Sequence, residues 1–164
     1  MRKPANYWIE RLELEPHPEG GFFKETYRSS VSAEFTDFPS GRNVSTGIYF
    51  FLTSENFSAF HRIKSDEMWH FYAGDALSIS VIDKNGKANE IILGLDLEKG
   101  QVPQAVVPAN CWFASKVKDG GEYGLVGCTV SPGFDFEDFK MADRQHLIAE
   151  YPRHKELITS LTRV

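Results

Sequence analysis

HRIKSDEMWHFYAGD, residues 61–75, sets out a histidine, a glutamate six residues on, and a glycine seven beyond that. From Glu67 to Ala73 the run is β-prone and long enough for one strand, so alternate side chains point to opposite faces. Glu67, Trp69 and Phe71 then share one face, and Met68, His70 and Tyr72 share the other. If Glu67 faces the interior, His70 faces out, unless a bulge intervenes. A histidine and a glutamate brought together by neighbouring strands are half of a metal site. The rest of the chain decides what the other half is.

On either side the same pattern continues. FSAFHRI (57–63) precedes the stretch, and ALSISVID (76–83) and ANEIILG (88–94) follow it, with KNG (84–86) as their hairpin turn. STGIYFFLT (45–53) reads as a central strand. FFKETYRS (22–29) puts Phe23, Glu25 and Tyr27 on one face and Phe22, Lys24, Thr26 and Arg28 on the other. QAVVP (104–108), CWFASKV (111–117) and YGLVGCTV (123–130) complete the strands, with PAN and DGGE as turns.

Helical spacing is confined to the ends. ANYWIERLEL (5–14) carries Trp8, Ile9 and Leu12, and PHPEGG (16–21) stops it with two prolines and a double glycine. Residues 141–161 carry two apolar stripes, Leu147, Ile148 and Tyr151, then Leu157, Ile158 and Leu161. Pro152 opens the second short helix. Short strands bounded by frequent turns predict an all-β sandwich or barrel, with residues 1–164 as one domain.

Eighteen Lys and Arg stand against 23 Asp and Glu, a formal charge of −5, with no basic run. That excludes a nucleic-acid partner, since phosphate binding needs clustered cations. Aromatic residues make up 13% of the chain, which suits a β-rich core or an aromatic-lined pocket. Cys111 and Cys128 lack metal-knuckle spacing and read as buried thiols. The first residues show no continuous apolar signal segment, and no apolar run is long enough to span a bilayer. A cytoplasmic protein without a membrane partner is the expectation.

The opening stretch resembles the first motif of the cupin superfamily, which runs His-x-His, a short spacer, Glu, six residues, Gly. Here it reads His61-Arg62-Ile63, KSD, Glu67, MWHFYA, Gly74, with Ile63 in place of the second histidine. The second cupin motif, Pro-x-Gly-x-x-His, is matched by Pro108 to Phe113. Asn110 stands where a left-handed glycine belongs, and Phe113 replaces the histidine. HPEGGFFKETYRS and GCTVSPGFDFEDF look like strings of an uncharacterised cupin-like family, similar in fold to dTDP-sugar epimerases, seed storage proteins and sugar-binding regulator domains. The resemblance implies a double-stranded β-helix: a jelly-roll barrel with short N-terminal and C-terminal helices, a ligand in its mouth, and a homodimer. It implies little about reaction, because fold does not fix function.

The resemblance also implies a metal held by three histidines and one glutamate. Ile63 and Phe113 cannot ligate, so His61 and Glu67 leave an ion short of three protein ligands. No cofactor is expected; a divalent metal, if one binds, would sit on His61 and Glu67. Without metal, a His61–Glu67 pair raises the proton affinity of the imidazole. His61 would then act as acid or base, Glu67 would orient it, and Tyr27 or a water would return a proton; the alternative for Glu25 and Tyr27 is a sheet edge where both face solvent. A satisfied pair buried in the core is the structural alternative. Glu25, Trp69, His70, Gln104, Trp112, Phe113, Phe134 and Phe136 are the candidate ligand-binding residues. GFDFEDF (133–139) reads as a lid or an exposed edge, and His17, His146 and His154 as surface residues.

Three functions stay open. One is a metal-independent isomerase or epimerase acting on a small polar metabolite such as a sugar or sugar nucleotide. The second is a non-catalytic small-ligand-binding module. The third is a metal-dependent cupin enzyme with an incomplete ligand set. A homodimer would cover strand edges, with the N-terminal helix and strand 22–29 at its interface.

Overall fold

The computed structural model describes residues 1–164. The strands are β1 (Glu15–Pro16), β2 (Phe22–Arg28), β3 (Ser32–Ala33), β4 (Arg42–Asn43), β5 (Thr46–Thr53), β6 (Phe57–Arg62), β7 (Asp66–Gly74), β8 (Leu77–Ile82), β9 (Ala88–Leu93), β10 (Gln104–Val107), β11 (Trp112–Val117), β12 (Tyr123–Ser131) and β13 (Lys140–Met141). One sheet has the order β1-β2-β5-β12-β7-β10 and the other β13-β6-β11-β8-β9, with β3 and β4 as a separate ribbon. The ladders are antiparallel, and a single parallel bridge joins Leu93 to Val102. This is an all-β fold with short flanking helices.

The two larger sheets face each other across one apolar cluster. Phe50, Leu52, Trp69 and Val126 come from the first sheet; Leu77, Ile79, Val81 and Phe113 come from the second. Each fully buried side chain of this size contributes about 1.5–3 kcal/mol relative to exposure. The outer faces are covered by helices. Trp8 and Ile9 of α1 (Ala5–Arg11), with Leu12 just past its end, pack on Phe51, Tyr123 and Leu125. Leu147 of α2 (Arg144–Glu150) and Ile158 of α3 (Lys155–Ser160) pack on Phe60, Ile82 and Trp112. Phe60 and Trp112 therefore face outward, and the next residue on each strand, His61 and Phe113, turns inward.

Helix α1 is shorter than its sequence spacing suggests. Glu13 takes a left-handed φ of 53°, and the Leu14 N–H bonds Ile9 O, which turns the chain towards β1. Residues 140–141 form a strand beside β6 rather than the start of a helix. Pro152 opens a 3-10 turn, Pro152–His154, ahead of α3. Asn110 has φ 63°, the left-handed conformation expected of a residue in the glycine position of that turn.

One irregularity decides which side chains reach the interior. In β2, Glu25 pairs with Ile48, but Tyr27 pairs with Gly47 and Arg28 with Thr46. The strand thus holds one residue more than its partner after Glu25, and the alternation shifts by one. Arg28, not Tyr27, follows Glu25 on the inner face. Of the two readings open for Tyr27, a pocket acid and a solvent-facing side chain at a sheet edge, the second holds: it is turned to solvent and 54% exposed. In β7 the extra residue is Tyr72, beyond the part that matters, so Glu67 and Trp69 face in and His70 faces out.

Candidate functional site

A cavity of about 260 Å³ opens at one end of the sheets, lined by the 17–19 segment, by inward residues of β2, β5, β6, β7 and β12, and by residues 134–136. At its floor His61 is held at both nitrogens. Nδ1 lies 2.7 Å from Ala59 O, and Nε2 lies 2.8 Å from the Glu19 carboxylate. A carbonyl can only accept, so Nδ1 carries a hydrogen. The proton between Nε2 and Glu19 then makes an imidazolium–carboxylate pair. Burial works against the His61 charge, but Glu19's charge and hydrogen bond outweigh it, and its pKa is raised. Burial likewise raises that of Glu19, and His61 more than reverses the effect, leaving it lowered. The Phe113 ring lies against the imidazole, centroids 4.1 Å apart.

Glu19 is aimed inward by the double glycine behind it. Gly20 and Gly21 have φ 110° and 77°, and a Cβ on Gly20 would fall 2.0 Å from Phe57 O. Only glycine accepts that conformation and that approach. The backbone of Glu19 is pinned to β6 by the Ala59 N–H at 2.8 Å. His17 closes the same turn: its Nδ1 accepts the Glu19 N–H at 3.2 Å, so the neutral ring carries its hydrogen on Nε2. Burial lowers the His17 pKa and outweighs the pull of Glu19.

Glu67 stands beside this pair and is chemically different. It is 8% exposed and lines the cavity, yet its carboxyl has no cation bonded to it. Burial and the neighbouring Glu19 charge push its pKa up to about 7, against the opposing effect of His61. Its one side-chain partner is the Cys128 thiol, a weak donor, and burial beside Glu67 and Glu19 pushes the thiol pKa well up.

Nearer the mouth, Arg28 bonds both oxygens of Glu25, at 2.6 and 3.2 Å, and also Asn43 Oδ1 and Phe134 O. Phe23, Phe134, Asp135 and Phe136 complete the rim. The acidic string 133–139 is neither a free lid nor a bare edge. Buried Asp138 takes two bonds from buried Arg42, at 2.8 and 2.9 Å, and this pair fastens the segment to β4.

Of the residues singled out in the sequence, His61, Glu67, Glu25, Phe134 and Phe136 meet in the cavity. The other candidate catalytic and ligand-binding residues, Tyr27, Trp69, His70, Gln104, Trp112 and Phe113, do not line it. Trp69 is buried deeper, against Phe50 and Phe113, and Phe113 backs His61. Trp112, adjacent to Phe113 on one strand, must take the opposite face and lies under α2 and α3. Both indole N–H groups lack a partner. His70 lies on the outer face, its Nε2 by Thr129 Oγ1 and its Nδ1 by Gln104. His146 is exposed, and His154 is half-buried with Nε2 on Gly86 O. His17 is corrected from surface to buried cavity wall. Glu19 and Arg28 were missed outright. The signal for Glu19 was the double glycine of HPEGG; Arg28 depends on the bulge and had none.

The residues present do not fit a cupin metal. Ile63 and Phe113 carry no donor, both His61 nitrogens are engaged, and His17 Nδ1 accepts a backbone N–H. No group of three or more His, Cys, Asp or Glu side chains is placed to hold a metal ion. No helix is long and apolar enough to cross a membrane.

Comparison with known proteins agrees with the motifs. Residues 6–142 match the family described as Cupin superfamily (DUF985). An uncharacterized protein of Saccharomyces cerevisiae is 32% identical over 143 residues, covering 79% of this chain and 71% of that protein. The structure of a hypothetical protein from Leishmania major superposes with a TM-score of 0.93 at 36% identity, covering 99% of this chain and 100% of that one. A crystal structure of a Shewanella oneidensis protein gives 0.89 at 43% identity, with 98% of each chain covered. Oxalate decarboxylase of Bacillus subtilis gives 0.55 at 14% identity, over 89% of this chain and 36% of that one, a likeness of fold alone.

Proposed function

The chain belongs to the Cupin superfamily (DUF985), and on that premise we propose that its cavity binds a small polar metabolite and moves a proton on it without a metal. Glu67 is the acid and base, and the Glu19–His61 pair is its charged support. The observation that carries this reading is the Glu67 carboxyl: buried, facing the cavity, and bonded by nothing stronger than a thiol. A group that titrates near neutral pH is suited to take a proton and give it back. His61, expected from the sequence to do this, has both nitrogens engaged and positions charge instead.

The reaction class is isomerisation. Glu67 as carboxylate removes a proton from a carbon next to a carbonyl, the C–H pair passing into the enolate. His17 Nε2–H hydrogen-bonds the carbonyl oxygen. On a substrate with a hydroxyl on that carbon, Glu67, now protonated, returns the proton to the former carbonyl carbon while the hydroxyl proton passes to the enolate oxygen, so that carbonyl and hydroxyl change places. We take the two sheets as the jelly-roll barrel of the family, residues 1–164 as one domain, and the protein as a cytoplasmic homodimer. Gel filtration giving a monomer at micromolar concentration would remove the dimer.

The test begins with a thermal-shift screen of metabolites, since a ligand of the native state raises its stability. Stabilising compounds are then incubated in ²H₂O. Deuterium entering the ligand with wild-type protein, and not with Glu67→Gln, is the expected result. A stabilising compound that never exchanges would turn the reading to a binding module, which the aromatic mouth also suits. If nothing stabilises the protein, the cavity is not a ligand site.

A further inference from the structure

We infer that the metabolite is a small organic cation: a protonated amine carried on an apolar frame. This rests on the cavity being the ligand site, as proposed above, and adds the sign of the charge that the site accepts.

Four carboxyl groups line the cavity, and only two have a cation. Glu19 is paired with His61 and Glu25 with Arg28. Arg28 already uses four of its five N–H donors, on Glu25, Asn43 and Phe134. Glu67 and Asp135 are left over. Asp135 accepts only the Glu137 backbone N–H, at 2.9 Å, and makes no ion pair. Glu67 is more than nine-tenths buried, is aimed into the cavity, and has no N–H or O–H donor of the protein on it. A buried carboxylate left without a counter-charge is costly, and a bound cation removes that cost. No unpaired cation lines the cavity to receive an anion.

The apolar part of the wall has the matching chemistry. Phe134 and Phe136 meet edge to face with centroids 5.0 Å apart, and Phe23 lies on the same wall. Aromatic faces attract cations, and their area holds an apolar frame. A sugar nucleotide fits poorly, because its diphosphate would meet Glu67 and Asp135 with no free arginine or lysine to hold it.

The test uses three probes of one shape, benzylamine, benzyl alcohol and benzoate, titrated calorimetrically into the full chain at pH 8. Benzylamine is expected to bind about tenfold more tightly than the alcohol, with benzoate weakest. The preference should shrink in Asp135→Asn, which keeps an acceptor for the Glu137 N–H, and disappear in Glu67→Gln. Alcohol or benzoate binding as tightly as the amine, with binding blocked by Ile48→Trp in the cavity wall, would overturn the cation and leave the site intact. Absence of binding by all three would overturn the site reading together with this one.

Discussion

Two buried ion pairs lie within one fold, behind the mouth and at the floor of the same cavity, and they differ in whether their proton can move. Arg42 grips Asp138 through two parallel bonds, adds Glu137 at 2.9 Å, and reaches Ser40 and Gly41 with its remaining N–H groups. A guanidinium does not lose its proton in a protein, so this charge is fixed and every donor is used. His61 and Glu19 make a single contact at 2.8 Å with a proton that either can hold. Beside them sits a third group, Glu67, with no cation of its own. The saturated pair holds the shape of the mouth. The unsaturated cluster leaves an imbalance that chemistry or a ligand can use.

The contrast can be broken most forcefully at Arg42. Arg42→Ala strands Asp138 in the interior, and a loss of about 3 kcal/mol in urea unfolding is expected, with faster amide exchange across 134–139. A loss within experimental error would mean that the mouth does not depend on this pair.

Glu67 should behave in the opposite sense. Its folded pKa of about 7 lies above the ordinary 4.5, so the folded protein binds this proton more tightly than the unfolded chain does. That contribution to stability is fully present below pH 4.5 and is lost as the pH rises to about 7. Glu67→Gln, which needs no such proton, should therefore exceed the wild type in stability by about 3 kcal/mol at pH 8 and match it near pH 4. Equal stabilities at both pH values would show that Glu67 is not strained by its surroundings.

Smaller, and sharper as a test of the pair itself, is a double-mutant cycle of Glu19→Gln with His61→Phe. The Glu19 contribution is present above its ordinary pKa and fades as the pH falls through its lowered folded value. The His61 contribution is present below its ordinary pKa and fades as the pH rises through its raised one. A coupling of about 2 kcal/mol is expected between these limits, shrinking towards both extremes of pH. A coupling independent of pH would point to packing rather than charge. The least change belongs to Tyr27→Phe and His70→Ala, both outside the cavity: about 0.5 kcal/mol or less, with probe binding unaltered.

The strands and the orientation of β7 were legible because strand alternation is local. HRIKSDEMWHFYAGD alone puts Glu67 and His70 on opposite faces, and in the structure Glu67 is turned inward and His70 outward. The cavity was half legible. His61 and Glu67 stood in a motif, but their partner Glu19 lies far off in the chain and arrives by a turn, not by periodicity. A wall built from segments distant in sequence leaves no spacing to read. Trp112 was assigned by residue type where parity alone would have placed it outside, since Phe113 next to it faces in.

The extra residue in β2 has a consequence in the language of genes. Because Thr26 is accommodated without a counterpart on β5, removing its codon restores ordinary pairing and still leaves Glu25 and Arg28 on the inner face. Elsewhere in a paired strand, losing one codon inverts every side chain that follows it. Position 26 is therefore where this strand tolerates a deletion with its ligand-facing surface intact, and length variation among relatives should gather there.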